Sequence, residues 1–589
     1  MQYLTDIYPV IETNTILNKT ITGIGATYSE IKAPRHSIII EPTKPVIYGK
    51  THDLKHKNDN LKGVFQGVFQ DEIVDYIERS LNQHKWVKIL TTPESFRKVQ
   101  DALDSMAIDM RYDGYFLLFD ECQKIVKDCD YRSDITLPMD LFFECRDKAI
   151  VSATPPTEYA DNRFGSFQTV KLIPDFDYRK DLLLYTTNNV LQRTRELLAI
   201  LKSDERPVFL FVNSTDMIHS FMKQLMVEEE SVVFCSEKSV NKLRGLNFRK
   251  AYEDWEVKRM AKYNWLTSRF NSAFDIELLD MPNVVMITDC YTAEYTMIDP
   301  YMDAVQIAGR FRNGINRLYH ISNCDKRISV RSKEQIAASV NEMRIIYDYL
   351  ETIAYSASTS TQRIELRKAQ KAITYTQFLD ENGKVNPYKV DNYIDEEKLK
   401  VEYNNYSSIF KAYQECGYFN VVYDQKNYRF GDHERLRIEN KSATIREKRK
   451  EIVVQLEQLG TCETEAECQY KHDLAFADSL IVEAYDLLGK DEIEQLNYSV
   501  TKMREAIILK KHQIMAHATD AIQMIKAYFY PQKWYSAKTI KNKIKEIFTA
   551  LGIPTPKAVT SHTINDYFEA IELRKKSGRG YFLISPRFA

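Results

Sequence analysis

The chain has 589 residues, 44% of them hydrophobic and 28% charged, which is typical of a soluble globular protein long enough for about three or four domains. Because 81 Lys and Arg residues are balanced by 83 Asp and Glu residues, any nucleic-acid surface must be a local patch. We find neither a signal peptide nor an apolar run of the roughly 18 residues that a membrane span needs, so we expect a cytoplasmic protein of a bacterial or host cell, or one packaged in a virion.

The segment K-T-I-T-G-I-G-A-T, residues 19–27, has the glycines of a phosphate-binding loop but lacks its lysine. Such loops read G-x-x-x-x-G-K-[ST], with the lysine directly after the last glycine. Here Gly25 is followed by Ala26 and Thr27, and the nearest lysine is Lys19. Alone, the segment is too degenerate to assign.

Short apolar runs, each ending in a polar or turn residue, alternate with helical stretches up to about residue 330. Such runs are typical of strands that are buried on both faces of a parallel sheet, and open α/β sheets bind ligands at the carboxyl ends of their strands. A break near residues 173–181 predicts two α/β lobes. The runs are residues 37–42, 87–92, 115–121, 149–155, 207–213, 231–236 and 284–289.

Two adjacent carboxylates, Asp120 and Glu121, end the most strongly predicted strand. A buried pair of this kind is costly unless a cation compensates it. Mg²⁺ takes one or two protein carboxylates, which suits the aspartate, and the glutamate can polarise an attacking water. Alone, the pair is better explained as an acidic pair near a turn at a strand end. The motif Ser152-Ala153-Thr154 ends the next strand.

An arginine motif, Q-I-A-G-R-F-R-N-G at residues 306–314, follows in the second half of this region. An arginine supplied by a second lobe stabilises the charge that builds on a transferring γ-phosphoryl group, and planar guanidinium suits this role better than lysine. Each motif is weak singly. The order D-E-C-Q, S-A-T and Q-x-x-G-R-x-R indicates ATP chemistry between two lobes.

In these motifs the chain resembles the DExD/H-box superfamily 2 helicases and translocases, over roughly residues 10–325. The three motifs resemble their Walker B box, motif III and motif VI. Residues 41–47, 91–96 and 209–218 resemble motifs Ia, Ib and IV. The resemblance implies two RecA-like lobes with ATP between them and single-stranded nucleic acid across the top. The short arginine spacing is closest to helicases of phage and mobile-element replication or of the herpesvirus origin-binding type.

The resemblance also implies roles for individual residues. Asp120 and Thr27 would hold Mg²⁺, and Glu121 would be the catalytic base. Thr43 and Thr92 would contact nucleic acid. Hydrolysis would be coupled to strand contact by Ser152, Ala153 and Thr154. The remaining implied ATP-site residues are Lys19, Gly23, Gly25, Ala26, Gln306, Arg310 and Arg312.

The chain departs from the family pattern in three places. Asn313 stands where motif VI has its second arginine, so Arg312 is taken as the substitute. Residues 286–299 and 266–270 compete for motif V. The missing loop lysine leaves three possibilities open: Lys19 supplies the charge, the site binds nucleotide but hardly hydrolyses it, or the lobe is an inert relic.

Helical periodicity dominates from about residue 331, and residues 440–526 fit a helical hairpin or short coiled coil. The nine cysteines contain no C-x-x-C pair, which predicts reduced thiols. Cys462, Cys468 and His472 form a C-x5-C-x3-H run without an evident fourth ligand, so zinc is the weaker interpretation.

The last 60 or so residues predict a winged-helix-like module with an apolar helix face at Ile540, Ile544 and Ile547. Its rings Trp534, Tyr535 and Tyr581 are candidates for stacking on bases. Its basic residues either contact the phosphates of a nucleic acid or form an ordinary solvated surface. The candidate phosphate contacts are Lys538, Lys541, Lys545, Arg574, Lys575, Lys576 and Arg579.

The sequence therefore predicts an α/β fold of two RecA-like parallel-sheet lobes followed by a mostly helical region with a small winged-helix-like end. The expected domains are residues 1–172, 173–330, 331–527 and 528–589. The expected function is an ATP-dependent, Mg²⁺-using DNA helicase or translocase of phage or mobile-element replication or recombination, acting on single-stranded or forked DNA, with RNA left open. Replication or virion proteins are the expected partners. The alternative is a nucleic-acid-binding or packaged structural protein that binds nucleotide on a helicase scaffold with little or no hydrolysis.

Overall fold

The computed structural model describes residues 4–271, 275–432, 434–435, 443–556 and 558–588. Contacts divide the chain into two compact units, Met1–Asn427 and Tyr428–Ala589, called here the N-terminal and C-terminal units. None of the described helices combines the length and the apolar character that a membrane span needs.

The N-terminal unit begins with a sheet of seven parallel strands. Its strands are β1 (Thr15–Asn18), β2 (His36–Ile40), β3 (Leu61–Val64), β4 (Lys88–Thr91), β5 (Tyr115–Asp120), β6 (Asp147–Ser152) and β7 (Gln168–Lys171). Their order across the sheet is β3-β4-β2-β5-β6-β1-β7, so the ends of β1, β5 and β6 are neighbours at one edge.

Helices cover both faces of this sheet. The longest has its buried residues at helical spacing, Ile73, Tyr76, Ile77 and Ser80, which is why this stretch packs one face on the sheet. The helices are α1 (Leu4–Ile7), α2 (Ala26–Lys32), α3 (Lys44–His52), α4 (Gln70–Asn82), α5 (Phe96–Ser105), α6 (Gln123–Lys127) and α7 (Met139–Glu144).

A second sheet of eight parallel strands follows in the same unit. Its strands are β8 (Lys180–Thr187), β9 (Val208–Phe211), β10 (Ser231–Phe234), β11 (Ala251–Tyr252), β12 (Tyr263–Leu266), β13 (Asn283–Thr288), β14 (Arg317–Ser322) and β15 (Phe419–Lys426). The order is β11-β10-β12-β9-β13-β14-β8-β15. The helices between these strands are α8 (Val190–Leu201), α9 (Thr215–Gln224), α10 (Glu237–Gly245) and α11 (Asp303–Gly309).

A helical segment connects β14 to β15 and packs on both lobes. On the first lobe, the Asp391 carboxylate accepts the Ala160 N–H at 2.8 Å. On the second, the Tyr413 hydroxyl lies 2.8 Å from His320 Nδ1. Although β15 falls within the range 331–527 assigned to an accessory region, it completes the second sheet beside β8. The segment consists of α12 (Lys333–Ser356), α13 (Ser360–Lys371), α14 (Pro387–Glu402) and α15 (Tyr406–Cys416).

The C-terminal unit contains a bundle of short helices followed by a small mixed module. Residues 445–507 of the bundle surround one apolar core rather than forming the helical hairpin or short coiled coil expected from the sequence, and Ala521 and Ile525 of its last helix pack into the core of that module. Short breaks such as Gly460 and Gly489, both with positive φ, end its helices. The helices are α16 (Ile445–Leu459), α17 (Glu465–Ala477), α18 (Ser479–Leu488), α19 (Lys490–Gln495), α20 (Val500–Ala516) and α21 (Thr519–Tyr528).

The module at the end of the chain has one helix on a three-stranded antiparallel sheet of order β16-β18-β17. Ile540, Ile544 and Ile547 face its core, as the sequence predicts. The elements are β16 (Lys533–Ser536), α22 (Ala537–Ala550), β17 (Phe568–Lys575) and β18 (Gly578–Pro586). The predicted fold class is confirmed: two RecA-like parallel-sheet lobes and a mostly helical region with a winged-helix-like end.

Candidate active site

The loop after β1 turns sharply before α2 begins at Ala26. Gly23 and Gly25 have φ values of +78° and +85°, which glycine adopts without strain. A Cβ at Gly23 would also collide with the Arg312 guanidinium. Both glycines are therefore required by the backbone of this loop, whatever it binds.

The carboxyl end of β5 brings both acids to the loop. The Asp120 carboxylate accepts hydrogen bonds from the Thr27 hydroxyl, from the Glu121 N–H at 2.9 Å and from Lys19 Nζ at 3.3 Å. Glu121 has a φ of +50°, a strained conformation for a residue other than glycine. Lys19 Nζ also donates to Glu121 Oε1 at 3.1 Å. Lys19, the lysine singled out in the sequence, is thus paired with both carboxylates.

These charges are buried and compensate one another. Lys19, Asp120 and Glu121 are 6%, 4% and 9% exposed. Burial alone would lower the pKa of Lys19, but the two carboxylates outweigh it and raise this pKa well above its usual value. Burial opposes the charge on Glu121, yet Lys19 and Arg310 outweigh that cost and hold its pKa well below normal. Lys19 and Glu121 are therefore charged at neutral pH.

A chain of hydrogen bonds connects the acids to the S-A-T motif. Gln123, the fourth residue of D-E-C-Q, donates to Glu121 Oε2 at 2.8 Å and accepts from Ser152 Oγ at 2.5 Å. The Thr154 N–H donates back to Ser152 Oγ at 2.9 Å. Ala153, between them, is buried. A change at Glu121 can therefore reach the end of β6 through Gln123, a contact that the sequence analysis did not assign.

The second lobe reaches this network through α11. Gln306 Nε2 donates to Thr154 Oγ1 at 3.0 Å and to Glu121 Oε2 at 3.3 Å. Arg310 is 3% exposed and donates to the Gln306 backbone and side-chain oxygens at 3.0 and 2.9 Å. The structure thus brings Gln306 and Arg310 together with the acids of the first lobe.

Arg312 lies at the outer side of the same contact. It is paired with Asp275 at 2.7 Å and reaches the Thr22 hydroxyl of the loop at 3.4 Å. The Thr22 hydroxyl in turn donates to the Gly309 carbonyl at 3.1 Å. Of the two arginines of the motif, Arg310 is therefore the buried one and Arg312 the one against the loop.

Two further charged residues join the site and were missed from the sequence. Lys50, on α3, donates from Nζ to Thr27 Oγ1 at 2.8 Å and to Glu41 Oε1 at 2.5 Å. Burial raises the pKa of Glu41 to about 7, although Lys50 lowers it. No spacing in the sequence signals these contacts, because they depend on the packing of α3 beside the loop.

The donor set around Thr27 suits Mg²⁺. The Thr27 hydroxyl and the Asp120 carboxylate are in contact, and both are oxygen ligands of the kind that this ion takes, in small number, beside substrate phosphates. Among the residues that the structure describes, no group of three His, Cys, Asp or Glu side chains could hold a metal, and this includes Cys462, Cys468 and His472.

The two threonines expected at nucleic acid follow neighbouring strands of the first sheet. Thr43 precedes α3 after β2, and Thr92 follows β4. Thr92 is 6% exposed and its N–H donates to the Val64 carbonyl at 3.2 Å. Both lie at the sheet edge that carries Asp120, and Thr43 is the more accessible.

The expected basic residues of the C-terminal module are exposed. They comprise three lysines on the outer face of α22 and a second group at the β17–β18 turn, where Lys575 Nζ lies 5.0 Å from the centre of the Trp534 ring. Arg579 instead pairs with Glu572 at 2.9 Å. Tyr581 is wrong as a stacking ring, because it is 2% exposed and its hydroxyl lies 2.7 Å from His562 Nδ1. The exposed residues are Lys538, Lys541, Lys545, Arg574, Lys575, Lys576 and Arg579.

Comparison with known proteins finds similarity in structure only. No family model and no curated protein matches the chain. A DEAD box protein from the hyperthermophile Methanococcus jannaschii is 16% identical over 54% of this chain and 85% of that chain, with a TM-score of 0.30. S. cerevisiae Dbp5 bound to RNA and ADP BeF3 is 14% identical over 67% and 90%, with a TM-score of 0.35. The yeast DEAD-box splicing factor Prp28 is 14% identical over 58% and 78%, with a TM-score of 0.22.

Proposed function

We propose that the chain is an ATP-dependent helicase or translocase on a superfamily 2 scaffold, with a degenerate phosphate loop in which Lys19 replaces the missing lysine. The observation that carries this proposal is the buried contact network of Lys19, Asp120, Glu121 and Gln306, which joins the two lobes. Residues of the two lobes thus contact each other at the point where a nucleotide would lie.

Each residue has a role that its position supports. Glu121, charged and hydrogen-bonded to two glutamine side chains, can orient and polarise a water. Lys19 offers a positive charge to the loop, and Arg310 and Arg312 offer guanidinium groups from the second lobe. Thr27 and Asp120 would hold Mg²⁺, which would neutralise phosphate charge. Ser152 and Thr154 would transmit closure of the lobes to a bound strand.

The substrate and setting that we propose are single-stranded or forked DNA during replication or recombination of a phage or mobile element. Support comes from the short arginine spacing and from the exposed basic residues of the C-terminal module, with Thr43 and Thr92 at the first sheet edge. The division that we propose is residues 1–172 for the ATP lobe, 173–330 for the second lobe, 331–527 for the accessory region and 528–589 for the strand-binding module.

A second candidate function is nucleotide binding with little or no hydrolysis, in a nucleic-acid-binding or packaged structural protein. Ala26 favours it, because a methyl group stands where the loop lysine would touch phosphate, and Lys19 is already engaged by two carboxylates.

The test is ATP hydrolysis with and without single-stranded DNA for the wild type, Lys19→Ala and Ala26→Lys. Removing a buried charge that stabilises the transition state should reduce turnover by about 100-fold or more. Lys55→Ala, an exposed lysine of the same lobe, is the matched control and should be neutral. Full turnover in Lys19→Ala would overturn the role of Lys19. A wild type that binds ATP but shows no DNA-stimulated turnover would favour the second candidate.

A further inference from the structure

Lys50 reaches the degenerate loop from a different element. It lies near the end of α3, after β2, and its amine is 2.8 Å from Thr27 Oγ1, 2.5 Å from Glu41 Oε1 and 3.8 Å from Asp120 Oδ2. Thr27 directly follows Ala26, the position where the loop lysine is missing. A second positively charged side chain, supplied by α3, therefore lies beside the position of the missing lysine.

The environment of Lys50 differs from that of Lys19. Lys19 is shielded from solvent and is shared between two carboxylates at 3.3 and 3.1 Å. The side chain of Lys50 is 27% exposed; it pairs closely with Glu41, which is 1% exposed, and lies at the longer distance of 3.8 Å from Asp120. A lysine has three donors and a flexible stem, so Lys50 can keep Glu41 and still offer a hydrogen to a neighbouring anion.

We propose that Lys50 is a second binding residue for the β- and γ-phosphates of a nucleoside di- or triphosphate, held in place by Glu41; this rests on the proposed nucleotide site. It compensates for Ala26 together with Lys19. The two lysines divide the role of the missing one: Lys19 supplies positive charge beside the acids at the end of β5, and Lys50 supplies it on the Thr27 side of the loop.

A purely structural role must be separated from binding, because Lys50 also neutralises a buried carboxylate. Removing Lys50 alone would leave Glu41 uncompensated and could unfold the lobe. The double variant Glu41→Gln/Lys50→Met removes both charges and keeps similar volumes. If Lys50 only neutralises Glu41, the double variant behaves as the wild type. If Lys50 binds phosphate, the double variant remains deficient.

The experiment is equilibrium binding of ATP, ADP and AMP, with Mg²⁺, to the full chain by calorimetry. The variants are the double variant, Glu41→Gln and Lys44→Gln, which removes an exposed lysine of the same helix. Thermal unfolding checks that each is folded. We expect the double variant to lose affinity for ATP and ADP by about 10- to 100-fold, the range for one charge-assisted hydrogen bond, and to keep its affinity for AMP. Lys44→Gln should bind all three nucleotides as the wild type does, whereas Glu41→Gln, which leaves Lys50 charged but less firmly held, should lose less affinity for ATP and ADP than the double variant does.

Two outcomes would overturn the assignment of Lys50 and leave the nucleotide site standing: wild-type affinity for ATP and ADP in the double variant, or an equal loss for AMP. A wild-type chain that binds none of the three nucleotides would instead overturn the proposed function, and the assignment of Lys50 with it.

Discussion

The edge of the first sheet and the end of the chain hold their charges in opposite ways. Lys19, Asp120 and Glu121 are each less than 10% exposed, and each has charged partners within hydrogen-bond distance. The lysines of α22 are exposed to solvent instead. In the first region, removing one charge disturbs the balance among the remaining charges in a poorly solvated site. In the second, water compensates each charge.

This difference indicates how each region would act on an anionic ligand. A small number of buried, positioned charges gives effects of several kcal/mol at one point, as phosphoryl transfer requires. A row of exposed lysines gives a sum of small effects that salt screens, which suits binding to a nucleic-acid backbone. Substitutions should therefore be severe and specific at the first site, and mild and additive at the second.

The largest effect is expected for Glu121→Gln, which removes the charge of the proposed base and preserves the shape of the side chain. Turnover of ATP should fall by about 100- to 10,000-fold, the usual contribution of a positioned base. Binding of ATP should persist, because Lys19 keeps Asp120 as a partner. Steady-state hydrolysis together with calorimetric binding would measure both.

The control for this prediction is Glu158→Gln. Glu158 is an exposed residue of the same lobe whose carboxylate pairs with Lys333. The Glu158→Gln variant should hydrolyse ATP at the wild-type rate. If Glu121→Gln did so too, Glu121 would not be the base, and its buried pairing with Lys19 would be structural.

A smaller effect is expected from the buried histidine of the second lobe. Burial lowers the pKa of His320 to about 3, and its ring nitrogens lie 3.1 Å from Thr288 Oγ1 and 2.8 Å from the Tyr413 hydroxyl. The unfolded chain takes up this proton near pH 6.5 and the folded chain only near pH 3. The contribution of His320 to stability is therefore complete above pH 6.5 and is lost as the pH falls.

Urea unfolding between pH 4 and 7 would measure this loss, which approaches about 1.4 kcal/mol per pH unit for one group. His320→Gln keeps a polar group near Thr288 but has no proton to gain, so the free energy of unfolding should fall less steeply as the pH is lowered. Parallel losses in the two proteins would show that His320 is not the group responsible.

The features that the sequence predicts best are those that depend on a single strand. All seven apolar runs noted in the sequence overlap strands of the two sheets, because strands buried on both faces need a continuous apolar stretch. The polar residues at the ends of these strands meet at one edge of each sheet, because neighbouring parallel strands end together. Lys19 could be predicted from the sequence because it directly follows β1.

Contacts that depend on how elements pack were not predictable in this way. Lys50 reaches Thr27 from a helix 23 residues further along the chain, and no periodic pattern connects the two. The same holds for β15, which pairs with β8 although more than 200 residues separate them. Side chains along β18 alternate between the two faces of the sheet, and only the packing of the module determines that Tyr581 lies against His562.

The smallest effect per residue is expected at the basic face of α22. Replacing Lys538, Lys541 and Lys545 by alanine in the full chain should weaken binding to single-stranded DNA severalfold. It should also make the slope of log affinity against log salt shallower by about 0.7 for each phosphate that the variant no longer neutralises. Because the helix packs through Ile540, Ile544 and Ile547, the fold should be unaffected. The matched triple arginine variant keeps the charges and should keep the slope. A salt titration in which the alanine variant follows the wild type would remove this face from the proposed interface and leave the turn at Arg574, Lys575 and Lys576 as the remaining basic surface.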